Sequence, residues 1–130
     1  MPEAAIAGPN AAILLRGALE SGTVVTAAAT VFDRVWIGGA TNVEVVAFVS
    51  AISATATSKI NLYLLAPPAR LSGEEGARQS AIAASATLTN NVETRISAAP
   101  KGVQFVEVEI APGASTSVTL GKIMLYTGTA

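Results

Sequence analysis

Two long apolar runs joined by small residues dominate the middle of the chain, reading NVEVVAFVSAISATATSKINLYLL from Asn42 to Leu65. Val43, Val45, Ala47 and Val49 fall on one face of an extended strand, and Glu44, Val46, Phe48 and Ser50 fall on the other. Beyond Ser53-Ala54-Thr55 the alternation resumes, with Lys59, Asn61 and Tyr63 against Ile60, Leu62 and Leu64. A period of two in β-branched sequence predicts strands, and the small-residue link predicts that the two form a β-hairpin. The first strand is apolar on both faces and is expected to be covered on both sides. The second alternates, so one of its faces is expected to meet water or a partner.

The same reading extends along the chain. Residues 1–12 are small and apolar, broken by Pro2, Gly8 and Pro9, and read as an extended N-terminal arm ahead of one domain spanning 13–130. Ile13 to Leu19 fits a first strand or a short helix, with Gly17 and Ser21-Gly22 favouring a strand that ends in a turn. Thr23 to Phe32 reads as a second strand, which Asp33-Arg34 interrupts before the short run Val35-Trp36-Ile37. Pro67-Pro68 ends the strand that follows the central link, because proline donates nothing to a ladder, and Leu71 to Gly76 reads as a solvated loop. Arg78 to Leu88 is rich in Ala, Ser and Thr and reads as a strand among strands, and Val92 to Ile96 as another.

Val103 to Ile110 alternates most cleanly. Val106, Val108 and Ile110 are expected to face the core, with Glu107 and Glu109 outward. The last strand, Ser115 to Tyr126, follows after a short Pro112-Gly113 loop, so the two are expected to pair antiparallel. About seven to eight antiparallel strands with Pro and Gly turns between them predict an all-β fold, a single jelly-roll-like β-sandwich.

Composition then bears on function. Of 130 residues, 51% are hydrophobic and only 13% are charged, about half the usual charged share, so much of the surface is expected to be buried against other subunits. The longest uncharged windows, Val45 to Ser58 and Gln79 to Val92, fall short of the roughly 18 apolar residues of a membrane helix, so no membrane partner is expected. The opening MPEAAIAGPN lacks the basic start of a secretory signal. A net charge of −1 without a Lys/Arg run gives no footprint for nucleic acid.

The chain has no His and no Cys, which removes Ser-His-Asp triads, thiol nucleophiles and the usual zinc ligands. Glu107 and Glu109 share one face of one strand, whereas a glycosidase needs carboxyls flanking the scissile bond. Asp33 is the single aspartate and Glu74-Glu75 stands alone, which is too little for calcium. A Ser58–Lys59 dyad is geometrically poor, because neighbouring strand residues point to opposite faces. No catalytic, cofactor-binding or metal residue is assigned, no cofactor is expected, and the chain reads as a non-enzyme. The candidate partner or subunit contacts are Ile6, Pro9, Ile13, Trp36, Tyr63 and Tyr126.

Ser21-Gly22-Thr23-Val24-Val25, the run Val43 to Ile52 with its Ser/Ala/Thr link to Lys59–Leu65, and the late runs Val103–Ile110 and Ser117–Leu125 set a texture. In it the chain resembles the small β-sandwich virion proteins of tailed bacteriophages, above all capsid decoration or cement proteins. The likeness spans most of the chain after residue 20 and rests on texture and strand order. It implies a homo-oligomer, a trimer foremost, set on the major capsid protein of a phage head after assembly in the host cytoplasm. A shell, tail or fibre subunit would present the same texture. A carbohydrate-binding β-sandwich ranks lower, because the few aromatics sit in apolar strands.

Overall fold

The computed structural model describes residues 5–26, 30–53, 57–65, 82–114 and 116–129. The part of the arm at 1–4, the middle of the expected second strand at 27–29, the link at 54–56, the loop at 66–81 and Ser115 lie outside the described residues. The described chain is all-β. Its strands are β1 (Ala5–Ile6), β2 (Ala11–Leu14), β3 (Val24–Thr26), β4 (Val31–Trp36), β5 (Asn42–Ile52), β6 (Lys59–Leu64), β7 (Ala84–Thr87), β8 (Glu93–Ala98), β9 (Phe105–Ala111) and β10 (Ser117–Gly128).

They form two sheets packed as a sandwich. Sheet I runs β1-β4-β9-β6-β7, and sheet II runs β2-β10-β5-β8 with β3 also on β10. Apart from the parallel two-residue pairing of β1 with β4, every pairing is antiparallel. The pairings nest: β2 with β10, β4 with β9, β5 with β8, and β6 with β7.

Nesting overturns two pairings expected from sequence. The runs flanking the 53–58 link are not a hairpin, because β5 lies in sheet II and β6 in sheet I. Likewise β9 and β10 do not pair, since β9 is central in sheet I and β10 in sheet II. In both places the short link carries the chain across from one layer to the other. Each strand can then bury its most apolar face against the opposite sheet, which a flat hairpin would not achieve.

The core is the meeting of the two inner faces. Sheet I contributes Val35, Val106 and Leu64 in one row and Val31, Ile110 and Ile60 in another. Sheet II contributes Ile13, Leu125, Val45 and Ile96 in register, with Ile123 beside Ala47. Leu15 and Leu19, from the loop after β2, are buried in the same cluster. The stretch Ile13 to Leu19 is therefore strand only to Leu14, and its later leucines plug the sandwich from a loop.

Asp33 does not interrupt a strand. It sits within β4, 7% exposed, in register with Val108. Its Oδ1 accepts from the Ala18 N–H and its Oδ2 from the Leu19 N–H, both at 2.9 Å. The carboxylate thereby satisfies the backbone of the leucine plug, which is why a charged residue is tolerated at an inner position.

Glu107 and Glu109 lie on the outer face of β9, opposite the core valines, yet they are 2% and 7% exposed, not solvated. Strands flank them on both sides and cover them with long side chains. Arg34 Nε on β4 donates to Glu107 Oε1 at 3.2 Å. Asn61 Nδ2 on β6 donates to Glu109 Oε1 at 3.0 Å, and Asn61 Oδ1 accepts from Ser85 Oγ on β7 at 2.7 Å. β6 is thus buried on both faces, and the expectation that one of its faces stays open fails for the same reason.

Candidate interaction surface

The surfaces left for a partner follow from what the sandwich does not use. On sheet II the even positions of β5 from Glu44 to Phe48, and of β10 beyond its register shift from Lys122 to Tyr126, point away from the core. Leu14, Met124, Val46 and Arg95 form one row across β2, β10, β5 and β8, and Ala12, Tyr126, Glu44 and Ser97 form the next. Phe48 stands beyond them, in register with Glu93. Phe48 is 38% exposed, Tyr126 39%, and Val24, on the outer side of β3, 57%. This gives a largely apolar strip of side chains along the middle of the sheet, with the exposed Lys122 of β10 as the charge within it among the described residues. On the β8 side, charges border it: Arg95 Nη1 lies 3.3 Å from Glu44 Oε1, and Arg95 Nε lies 3.2 Å from Glu93 Oε2. On the second face of β5, Val46 is buried whereas Phe48 and Ser50 are exposed, so the expected cover extends over only part of that face.

A second cluster forms where the arm crosses from one sheet to the other. Ile6 is in register with Trp36, and the Ala7 and Gly8 N–H groups donate to Trp36 O at 2.8 and 3.2 Å. Gly38 has φ +60, and a side chain there would press on Trp36 Cη2 and Pro9 Cδ at 3.1 and 3.3 Å. Trp36 therefore packs into the angle between the arm and the Gly38-Gly39 turn. Thr127 Oγ1 donates to Gly8 O at 2.7 Å and accepts from the Ala11 N–H at 3.0 Å, fastening the arm to sheet II. Residues 5–12 are thus held by their own chain. Trp36→Ala is expected to ease local opening of residues 6–9 by about 1–2 kcal/mol, roughly tenfold, by removing that packing. Amide exchange at Ala7 and Gly8 measures it.

The structure brings Ile6, Pro9 and Trp36 together in that cluster. Ile6 is 74% exposed, so it is the most open of the candidate contacts. Tyr126 belongs instead to the sheet II strip. Ile13 packs on the core and Tyr63 is 8% exposed beside Glu107, so neither offers a surface. Phe48, Met124, Leu14 and Val24 were not singled out from sequence. Alternation marks Phe48 on the second face of β5, but in β10 it groups Val118 and Leu120 with Met124 and Tyr126, and the register shift at Gly121 instead puts the first two in the core and the last two outside.

An open cleft of about 340 Å³ lies at one end of the sandwich, between the turns Ile37–Ala40 and Pro100–Val103. Gly38, Gly39, Ala40, Gly102 and Val103 line it, and Lys101 is its one charged lining residue. Ser58 Oγ accepts from the Gly113 N–H at 3.0 Å and is buried, whereas Lys59 is exposed, so the two do not face each other. The chain matches no protein-family model, and it matches no curated protein.

Proposed function

We propose that this chain is a non-enzymatic virion structural protein, a jelly-roll capsid decoration protein that binds and stabilises an assembled phage head. Its partner in this reading is the major capsid protein. The observation that carries the reading is the largely apolar, half-exposed strip on sheet II, centred on Phe48, Tyr126 and Met124. A single chain rarely leaves such a strip along the centre of a sheet unless another surface covers it. The nested pairing of eight strands, outermost with outermost, supports the jelly-roll form of the sandwich.

Binding of this kind works by mass action. A protein that binds the assembled shell and not its free subunits shifts the balance towards the shell. Many copies make a modest affinity per copy sufficient. The chemistry required is shape and apolar contact, which the strip supplies.

The test is co-sedimentation with empty phage heads. Phe48→Ser with Tyr126→Ser is expected to lower binding by about 2–3 kcal/mol, on the order of a hundredfold, with the far-ultraviolet circular dichroism unchanged. Unchanged binding would sink the reading. Spontaneous growth of the purified protein into closed particles or tubes would favour a shell, tail or fibre subunit in its place.

A further inference from the structure

We propose that β8 is a self-pairing edge, through which two copies of this chain join their second sheets about a two-fold axis. This rests on the charge pattern of β8 and stands whether or not the virion reading does. β8 closes one end of sheet II, with β5 on one side and no strand on the other among the described residues. At six residues it is the longest edge strand among the described residues. Its register against β5 is regular throughout, whereas the β5–β10 pairing carries bulges.

Exposed edges usually carry a device that blocks further pairing: a proline, a bulge, an inward charge or a covering loop. β8, reading ETRISA, has no proline and no bulge. Its charges, Glu93 and Arg95, are exposed on the outer face, and they are of opposite sign. Against a foreign strand such charges would discourage pairing. Against a second copy of the same strand they are complementary.

The register follows. Antiparallel partners directly opposite each other must share a face, so only every second alignment keeps Ile96 inward. Centring the axis on Arg95 sets two guanidiniums face to face, which is unfavourable. Centring it on Thr94 sets Glu93 opposite the second copy's Arg95 twice over. It also places Thr94 against its own counterpart and Val92 opposite the second copy's Ile96. Val92 is 50% exposed in the single chain, an apolar residue with no use there. In this pair each Arg95 sits between Glu44 of its own sheet and Glu93 of the other. Two five-stranded sheets become one of ten, with the charged β8 borders meeting between the two outer strips. An even-numbered assembly results, unlike the trimer that the resemblance implies.

Charge reversal tests it, read by sedimentation equilibrium at low salt. Wild type is expected to dimerise, and more weakly as salt rises. Glu93→Arg alone and Arg95→Glu alone each replace two attractions by two repulsions and are expected to weaken the dimer by about tenfold or more. Glu93→Arg with Arg95→Glu restores both cross-pairs and is expected to recover the wild-type constant to within about threefold. A monomer at every concentration, a trimer, or a dimer indifferent to the single reversals would each overturn the proposal. Hydrogen exchange on the unaltered protein checks it without variants. Amides between 92 and 96 should become protected as concentration rises, and equal exchange at all concentrations in a protein that does associate would also overturn it.

Discussion

Asp33→Ala is expected to destabilise the fold by about 3–4 kcal/mol, because it orphans two buried N–H groups that now donate to a carboxylate. Ala18 and Leu19 lie in the loop after β2, and Leu19 is fully buried in the core. Asp33→Asn is expected to cost less than alanine but still more than 1 kcal/mol, since an amide offers one acceptor and turns a donor towards the other N–H. Gly17 belongs to the same device. A Cβ at Gly17 would collide with Asp33 Oδ1 and lie 3.0 Å from Cγ. Gly17→Ala is therefore expected to be strongly destabilising in the wild type and nearly neutral in the Asp33→Ala background. Urea denaturation of the four species measures that coupling, and plain additivity would show that Gly17 and Asp33 do not act together.

Gly121→Ala is expected to cost about 2–3 kcal/mol by overpacking. Gly121 lies where β10 slips register against β5, between the pairs Leu120–Val49 and Ile123–Ala47. A Cβ there would come within 2.7 Å of both Phe48 Cδ1 and Phe48 O. The ring could turn aside, but the carbonyl belongs to the central strand and cannot. Phe48→Ala is thus expected to rescue little of the loss, and a full rescue in the double variant would refute the backbone contact as its cause. The bulge also shifts the alternation of β10, so that Leu120 before it and Ile123 after it both face the core.

These two sites show what sequence could and could not reveal. The inner face of β5, Val43, Val45, Ala47 and Val49, was legible because alternation reports which side of a strand is apolar. Alternation does not report which strand lies alongside. Short links at 53–58 and 112–116 favoured hairpins locally, yet both carry the chain between layers, since burial against the opposite sheet outweighs pairing with the nearest neighbour. Asp33 read as a break because its partners, Ala18 and Leu19, lie in a loop with no periodicity of its own. Glu107 and Glu109 read as solvated because a strand's own pattern does not show that Arg34, Tyr63 and Asn61 will stand beside it. The surface strip suffered from the same limit. Tyr126 was visible as an aromatic in a strand, whereas Phe48 was assigned a covering layer that the fold does not supply.

The nested pairing has a consequence in time. β10 is the centre of sheet II: it pairs with β2, β3 and β5, joining residues 11–14 to residues 124–127. Until β10 leaves the ribosome, β5 lacks one of its sheet neighbours and β2 has nothing to pair with, so sheet II cannot close. Strands so distant in sequence also form contacts slowly, because the chain between them must be ordered first. During synthesis the long apolar strand β5 therefore waits, unpaired on its β10 side, while more than half of the chain is still being made. With only 13% charged residues to oppose association in that interval, slowed translation is expected to lower the soluble yield, which pulse-labelled expression measures.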